Sequence, residues 1–301
     1  MHTPPDPNTE FETLLNYLWQ SHGFDFTGYR RSSLMRRVDG MMQMLPVASY
    51  NEYIDYLKQH PEEFFPLFNT IEINFTSFFR DVSNWEYIAT QIVPQLISSK
   101  PADKPIRIWS AGCSSGEEIY TLAIVLAEAL GEEQFRSRVQ IVGTDVDKEV
   151  LKQARQGSYS SSAVVDIQGK LLEKYFHQDG DRYVFRQDLR RSIRFYHHNL
   201  IQDAPMPKID LLVCRNVLIY FNIETQVRVL ARFFFSLKES GFLFLGHTEM
   251  LPEEITALFS SVNLQHRVYS KLPSSQLPAR LFTKALKKRQ PGVGNSLHSG
   301  K

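Results

Sequence analysis

Cysteine is scarce in this chain of 301 residues: there are two, Cys113 and Cys214, with no C-x-x-C spacing and no histidine pair at ligand spacing. A disulfide framework and a structural zinc site are therefore unsupported, no metal is expected, and a reducing compartment is the simpler home. An excess of one charge is missing too. Thirty-four Lys and Arg stand against 33 Asp and Glu, a formal net charge of +1, which argues against a surface built as a whole to hold nucleic acid. No apolar run reaches the ~18 residues of a membrane-spanning helix, and the polar first ten residues give no reason to expect a secretory signal. Neither the dinucleotide G-x-G-x-x-G nor a phosphate-binding G-x-x-x-x-G-K-[ST] occurs. What is present is ordinary: 43% hydrophobic and 22% charged residues point to a soluble, cytoplasmic, globular protein, and the length suggests two domains.

The first hundred residues read as helices. Phe11, Leu14, Leu15, Leu18 and Trp19 fall at i, i+3, i+4, i+7 and i+8 behind a capping box at Thr9–Glu12, and Gly23 supplies a stop. A second helix is expected over about 28–44, with Leu34, Val38, Met41 and Leu45 on one stripe. Ser49 with Glu52, and Ser83 with Glu86, repeat the capping box ahead of apolar runs. After the Pro- and charge-rich stretch Lys100–Pro105 the pattern changes to strands alternating with helices, which predicts βαβ units and a parallel sheet with helices on both faces. Arg182–Phe185 and Ile193–Tyr196 break that alternation and read as a β-hairpin. The expected organisation is a helical domain over 1–95 with a linker to about 105, an α/β domain over 106–271 with a β-subdomain at about 180–198, and a disordered basic tail over 272–301 that carries six Lys/Arg and no Asp or Glu.

Four segments hold residues suited to chemistry. Ser110-Ala111-Gly112-Cys113-Ser114-Ser115-Gly116-Glu117-Glu118 is a small-residue loop running from a strand into a helix, which lets backbone approach a ligand. Its two glutamates repel a pyrophosphate and suit a cationic or hydroxyl-rich ligand, unless they merely cap the helix dipole. Gly143-Thr144-Asp145-Val146-Asp147 ends the second strand; Asp145 is placed to bind ribose hydroxyls, whereas Asp147 reads as a helix N-cap. Arg215 and Asn216 follow a buried strand at the rim where open α/β sheets bind ligands, and Tyr220 lies just beyond. Asn74-Phe75-Thr76-Ser77-Phe78-Phe79-Arg80-Asp81 joins the two regions and would turn Asn74, Thr76 and Arg80 toward a cleft.

Taken in order, N-F-T-S-F-F-R-D, W-S-A-G-C-S-S-G-E-E, G-T-D-V-D, the H-N-L of His198-Asn199-Leu200, C-R-N-V-L-I-Y-F and Gly241-Phe242-Leu243-Phe244-Leu245-Gly246-His247-Thr248-Glu249 resemble the chemotaxis receptor glutamate methyltransferases of the CheR family. The resemblance spans about Phe11 to Lys271. It implies an N-terminal all-α domain, a Rossmann-like methyltransferase sheet, a small β-subdomain and S-adenosylmethionine as cofactor, leaving S-adenosylhomocysteine. By position, Asn74, Thr76, Arg80, Glu118, Asp145, Asn199, Leu200, Arg215 and Asn216 would bind the cofactor, and Arg80 and Tyr220 would serve the methyl transfer. One departure is Ile119, where the family usually carries proline after Glu-Glu, a change of little expected consequence.

The resemblance further implies a chemoreceptor's cytoplasmic helical domain as partner, with no nucleic acid, no membrane insertion and a monomeric enzyme. Arg30, Arg31, Arg36 and Arg37 form a basic cluster in a region that otherwise holds more acids than bases; Arg30 and Arg37, two turns apart, are the expected receptor-binding residues, the alternative being a solvated helix face. Three other readings remain open on residues alone: a methyltransferase of another substrate, a nicotinamide dehydrogenase, and a non-catalytic cofactor-binding signalling protein. The missing Asn-Pro-Pro-Tyr type motif weighs against amino-group methylation, and the missing G-x-G-x-x-G against the dehydrogenase.

Overall fold

The computed structural model describes residues 7–71 and 74–273. The first of these stretches is a helical layer: Pro7–His22, Arg31–Met42, Tyr50–Gln59 and Phe64–Ile71. Their apolar stripes close on one core that includes Phe11, Leu14, Leu18, Leu34, Val38, Tyr53, Leu57, Leu67 and Ile71. Ser49 caps its helix by accepting from the Glu52 amide at 3.2 Å, as its spacing predicts. The other two capping boxes do not form. Thr9 lies inside the helix Pro7–His22, and Glu12 instead pairs with Arg31. Ser83 lies inside a helix whose N-cap is Asp81, in a left-handed conformation at φ 60.

That helix runs from Val82–Tyr87 through a π segment, Ile88–Ile92, into Val93–Ser98. Pro94 lacks the amide an α-helix needs there, so the ladder slips at the preceding turn. Trp85, Ile88, Ile92, Val93 and Leu96 pack with the α/β core and not with the helical layer. Apolar packing thus divides the chain after Ile71, ahead of the Pro-rich stretch. Lys100 in that stretch pairs with Asp210, whose carboxylate also accepts from the Arg107 amide at 2.7 Å, fixing the base of the sheet.

Ten strands follow: β1 Ile106–Ala111, β2 Val139–Asp145, β3 Ser158–Ser160, β4 Phe176–Asp179, β5 Arg182–Phe185, β6 Ile193–His197, β7 Ile209–Cys214, β8 Leu237–Leu245, β9 Phe259–Asn263 and β10 Val268–Lys271. Seven form one sheet in the order β6-β2-β1-β7-β8-β10-β9. The first five of that order are parallel, and β10 runs antiparallel to both neighbours, so the sheet is mixed where a parallel one was expected. Strand order reverses between β1 and β7, the switch point at which open α/β sheets bind ligands beyond the carboxyl ends of the strands.

The expected hairpin is corrected. Arg182–Phe185 pairs with Phe176–Asp179 across a turn at Gly180, and with β3, making a separate three-stranded sheet. Ile193–His197 pairs in parallel with β2 as the edge of the main sheet. Helix Gln187–Arg190 separates the two runs and rules out a tight turn between them. The small sheet seats Tyr159, Phe176 and Phe185 on the core around Phe78.

Helices cover the two faces of the main sheet unequally. Ile108, Ile141 and Ile193 lie under the helices of one face. On the other, Ile223–Ser236 packs Val229, Leu230, Phe233 and Phe234 on Trp109, Leu212 and Leu243. The crossover from β6 to β7, residues 198–208, contains no helix, so that second face is left open over β2 and β6. The expected basic tail lies, beyond Pro273, outside the described residues.

Candidate active site

At the switch point a cleft is lined by Asn74, Thr76, Arg80, Glu118, Asp145, Asn199, Leu200, Arg215, Asn216 and Tyr220 among others. Every cofactor and catalytic position expected from the sequence is therefore gathered in one place. Its floor is the loop after β1. The amides of Gly112 and Cys113 both donate to the Thr144 carbonyl, at 2.8 and 2.9 Å, lashing the loop to the end of β2. Gly112 sits at φ +76, and a Cβ there would lie 2.4 Å from Val217 Cγ2; only glycine allows the loops after β1 and β7 to approach this closely.

Two carboxylates define the electrostatics. Ser110 Oγ donates to Glu118 Oε1 at 2.8 Å, and Arg215 Nη1 approaches Glu118 Oε2 at 3.5 Å. Asp145 accepts from the Ser114 amide at 2.9 Å and the Asp147 amide at 3.0 Å. Burial pushes both carboxyls above the usual carboxylate range, against the pull of Arg215 on Glu118 and of the backbone amides on Asp145. Each oxygen keeps lone-pair capacity beyond these bonds. Such a site favours a ligand carrying positive charge and hydroxyl donors.

Arg215 itself is a clamp. Its side chain is 2% exposed and lies between the Trp85 and Phe244 rings, at 5.3 and 5.0 Å. It donates to Asp81 Oδ2 at 2.6 Å and to the Arg80 carbonyl at 2.9 Å. The arginine so holds the Asn74–Asp81 segment against Glu118 and orients both, which makes it a positioning residue. Asn74 is also engaged: its amide donates to Asp147 Oδ2 at 2.8 Å, while Asp147 caps the next helix through Glu149 and Val150, as its sequence context suggests. Asn216 does not cap a helix; Asn222 does that, accepting from Thr225.

Arg80 lies over the exposed Phe75 ring, its guanidinium 5.3 Å from the centroid, with Nη1 donating to the Phe75 carbonyl at 3.1 Å. Backbone conformations around the cleft are unusual. Phe79, Asp81, Ser114 and Asn216 all have φ between 47 and 61 without being glycine, conformations that cost on the order of 1–3 kcal/mol each and collect where function requires them.

Arg30 and Arg37 are absent from the cleft lining and reach its outer wall. The helix starts at Arg31, so Arg30 is its extended N-cap and the two do not form one helical stripe. Arg30 Nε donates to the Phe221 carbonyl at 3.1 Å, and its amide to Tyr220 O at 2.9 Å. Arg31 is taken by Glu12, and Arg36 is exposed.

Glu249 is a site residue with no role assigned by the sequence reading. It is 3% exposed, and its carboxylate accepts from the amides of Asn216, Val217, Leu218 and Gly246 at 2.7–2.9 Å. It holds the loop after β7 as an anion is held in a nest of amides. The motif that ends in Glu249 was visible, but only the folded chain brings it to the 216–218 backbone.

These features define an α/β enzyme that binds a nucleoside-bearing cofactor at the switch point of its sheet. Comparison with known proteins makes that specific. A family model described as "CheR methyltransferase, SAM binding domain" matches residues 74–268, and one described as "CheR methyltransferase, all-alpha domain" matches 9–71. An uncharacterized 104.1 kDa protein of Rhodobacter capsulatus is 30% identical over 91% of this chain, which spans only 29% of that protein's length. A chemotaxis protein methyltransferase of Listeria innocua is 31% identical over 82% of this chain and 92% of its own. Chemotaxis protein methyltransferase 2 of Vibrio cholerae is 31% identical over 84% of this chain and 88% of its own. The chain belongs to the CheR methyltransferase family. It is an S-adenosylmethionine-dependent methyltransferase.

The residues present fit this cofactor. Its ammonium is a cation and its ribose carries hydroxyl donors, which the buried Glu118 and Asp145 carboxylates can accept, and the Gly112 loop leaves the close backbone approach a nucleoside needs.

Proposed function

We propose that the enzyme methylates glutamate side chains of bacterial chemoreceptors in the cytoplasm, acting as a monomer, to give glutamyl 5-O-methyl esters and S-adenosylhomocysteine. The observation that carries this reading is the placement of Arg80 and Tyr220 in the same cleft as Glu118 and Asp145, next to arginines of the helical layer. The cleft lining thus combines carboxylates suited to the cofactor with a cation and a phenol suited to an anionic methyl acceptor.

The assignments follow from charge. Asp145 takes the ribose hydroxyls and Glu118 the amino group of the methionine moiety; Asn199 and Leu200 flank the adenine, while Asn74, Thr76 and Asn216 close the walls. The bound cofactor supplies an electrophilic methyl on sulfur. The acceptor carboxylate, with an ordinary pKa of about 4.3, is ionised at neutral pH and needs no general base. In the transfer an oxygen–carbon bond forms as the carbon–sulfur bond breaks, and the bonding pair stays on sulfur, so two opposite charges disappear together. Alignment and partial removal of water are what the protein contributes. Arg80 would orient the carboxylate without burying it in an ion pair, and Tyr220 would help to position it for the transfer. Both cysteines are fully buried with thiol pKa values pushed up by burial, which suits packing and not nucleophilic work.

The test supplies radiolabelled S-adenosylmethionine to receptor-containing membranes and measures base-labile methanol. Release that depends on the enzyme and is lost when receptor glutamates are changed to alanine supports the reading. Base-stable label overturns the ester, and label on another acceptor overturns the substrate.

A further inference from the structure

The open part of the main sheet carries a cluster the methyl transfer does not use. Registered pairs place Arg107 beside Gln140, Val142 beside Arg194, and Thr144 beside Tyr196. Alternation along the strands then puts Arg107, Gln140, Val142, Arg194 and Tyr196 on one face. These residues and Arg191 line one concave surface. Gln140, Arg191 and Arg194 are exposed, and Tyr196 is 50% exposed.

Doubly wound sheets cover such a face with a crossover helix. Here residues 198–208 make the β6-to-β7 crossover without one, and Ile223–Ser236 covers Trp109 and the strands beyond it. What is left is a slot with a partly apolar floor, Val142 and Tyr196, bordered by arginines. Among the described residues, Arg107, Arg191 and Arg194 form no ion pair with a carboxylate. Arg194 donates only to the Arg191 and Ile193 carbonyls, each at 3.2 Å. The one acid in the lining, Asp188, is already held by Arg136 at 2.9 Å and Arg186 at 2.8 Å.

We propose that this face docks an acidic amphipathic helix of a partner protein, laid in the position a crossover helix would take, with its apolar stripe on Val142 and Tyr196 and its carboxylates toward Arg107, Arg191 and Arg194. Charge selects among occupants. A second copy meeting the first through the same patch would set these arginines against one another. The chain's own residues from 274 onward carry six Lys/Arg and no acid, and are repelled likewise. A bare polyanion satisfies the arginines but makes no use of the floor. The inference is independent of the methyl acceptor's identity, because none of these residues lines the catalytic cleft.

The test uses a fluorescein-labelled peptide of about 18 residues, five helical turns, with leucines at i, i+3, i+4 and i+7 and glutamates elsewhere. Fluorescence anisotropy is read with the full chain. Controls are a scrambled isomer that lacks the apolar stripe, and a single-stranded oligonucleotide. The expected result is saturable binding at least tenfold tighter than the scrambled isomer, lost in Arg191→Glu/Arg194→Glu and weakened in Tyr196→Ser. S-adenosylhomocysteine affinity, measured calorimetrically, stays at the wild-type value in each variant and shows that the fold persists. Equal binding of scrambled peptide or oligonucleotide overturns the proposal in favour of a general polyanion surface, and indifference to Tyr196→Ser removes the helix from it. Binding that emerges only after truncation beyond Pro273 makes the chain's own tail the occupant and equally overturns it. Absence of binding to the full and truncated chains does the same.

Discussion

The guanidinium of Arg37, on the second helix, stands over the ring of Tyr220, beyond β7, at 5.1 Å from the centroid. The same guanidinium donates to the Ile71 carbonyl at the end of the helical layer. A residue expected to bind receptor thus also braces a residue expected to serve the transfer, and the two domains meet at that contact. Tyr29, bridged to Phe221 and packed edge-on against its ring at 5.2 Å, continues the seam.

Arg37→Ala therefore loosens Tyr220 as well as removing a surface charge. A cation–π contact is worth roughly 1–2 kcal/mol when partly desolvated, so turnover on receptor should fall about five- to thirtyfold. Affinity for S-adenosylhomocysteine should stay within about twofold. Steady-state kinetics with calorimetry separates the two, and an equal loss in cofactor affinity would place Arg37 in the cofactor site instead.

Arg80→Ala should reduce turnover by a factor on the order of a hundred or more, the usual scale for losing one group that aligns reacting atoms. The fold should survive, because among the described residues Arg80's side chain is held by a carbonyl and the exposed Phe75 ring. A methyl-ester assay beside a thermal melt checks this. Near wild-type activity sinks the assignment.

Glu249→Gln keeps the shape but turns an amide NH₂ toward backbone N–H donors. Leaving buried donors unpaired costs about 1–3 kcal/mol per group. The melting temperature should drop by several degrees, and cofactor affinity should fall with it as the 216–218 loop relaxes. Differential scanning fluorimetry with and without S-adenosylhomocysteine reads both. A variant with lowered stability but wild-type affinity would confine Glu249 to folding.

Cofactor binding should weaken on acidification earlier than ordinary carboxylates predict. Glu118 and Asp145 are both raised, chiefly by burial, and their ionised forms are the better acceptors for the cofactor's ammonium and ribose hydroxyls. As pH falls through the raised values the carboxyls take up protons and the attraction is lost; above them binding is level. Calorimetric titration with S-adenosylmethionine between pH 4 and 8 should show the decline. Glu118→Gln should bind more weakly at neutral pH and lose part of the pH dependence.

Much of this was legible in one dimension. Helical periodicity identified the apolar faces of the first three helices, though not that of Phe64–Ile71, and strand–helix alternation identified the α/β sheet, because both patterns record burial on one side of an element. Glu118, Asp145, Arg215 and Asn216 were legible through short motifs at strand ends, where a loop's position beyond the sheet follows from connectivity; Asn74, Thr76 and Arg80 stood in the segment joining the two regions, and Asn199 and Leu200 came only with the family resemblance. The capping roles of Thr9 and Ser83 were misread because both residues lie within helical turns already under way, Thr9 inside Pro7–His22 and Ser83 one residue into a helix that follows Asp81 in its left-handed turn. The partner of Arg182–Phe185 was misread because strand runs of four or five residues carry no mark of the strand they will pair with.

Sequence alone therefore determined which residues are apolar on which stripe, where the loops fall and which motif residues stand at strand ends, since these are local properties of the chain. Tertiary structure decided the rest: that Arg215 is a buried clamp between Asp81 and Glu118, that Glu249 carries the 216–218 backbone, that Arg37 rests on Tyr220, and that the sheet is bare over β2 and β6. Each depends on long-range juxtaposition. A charge far away in the chain becomes a partner only when burial removes water as its competitor.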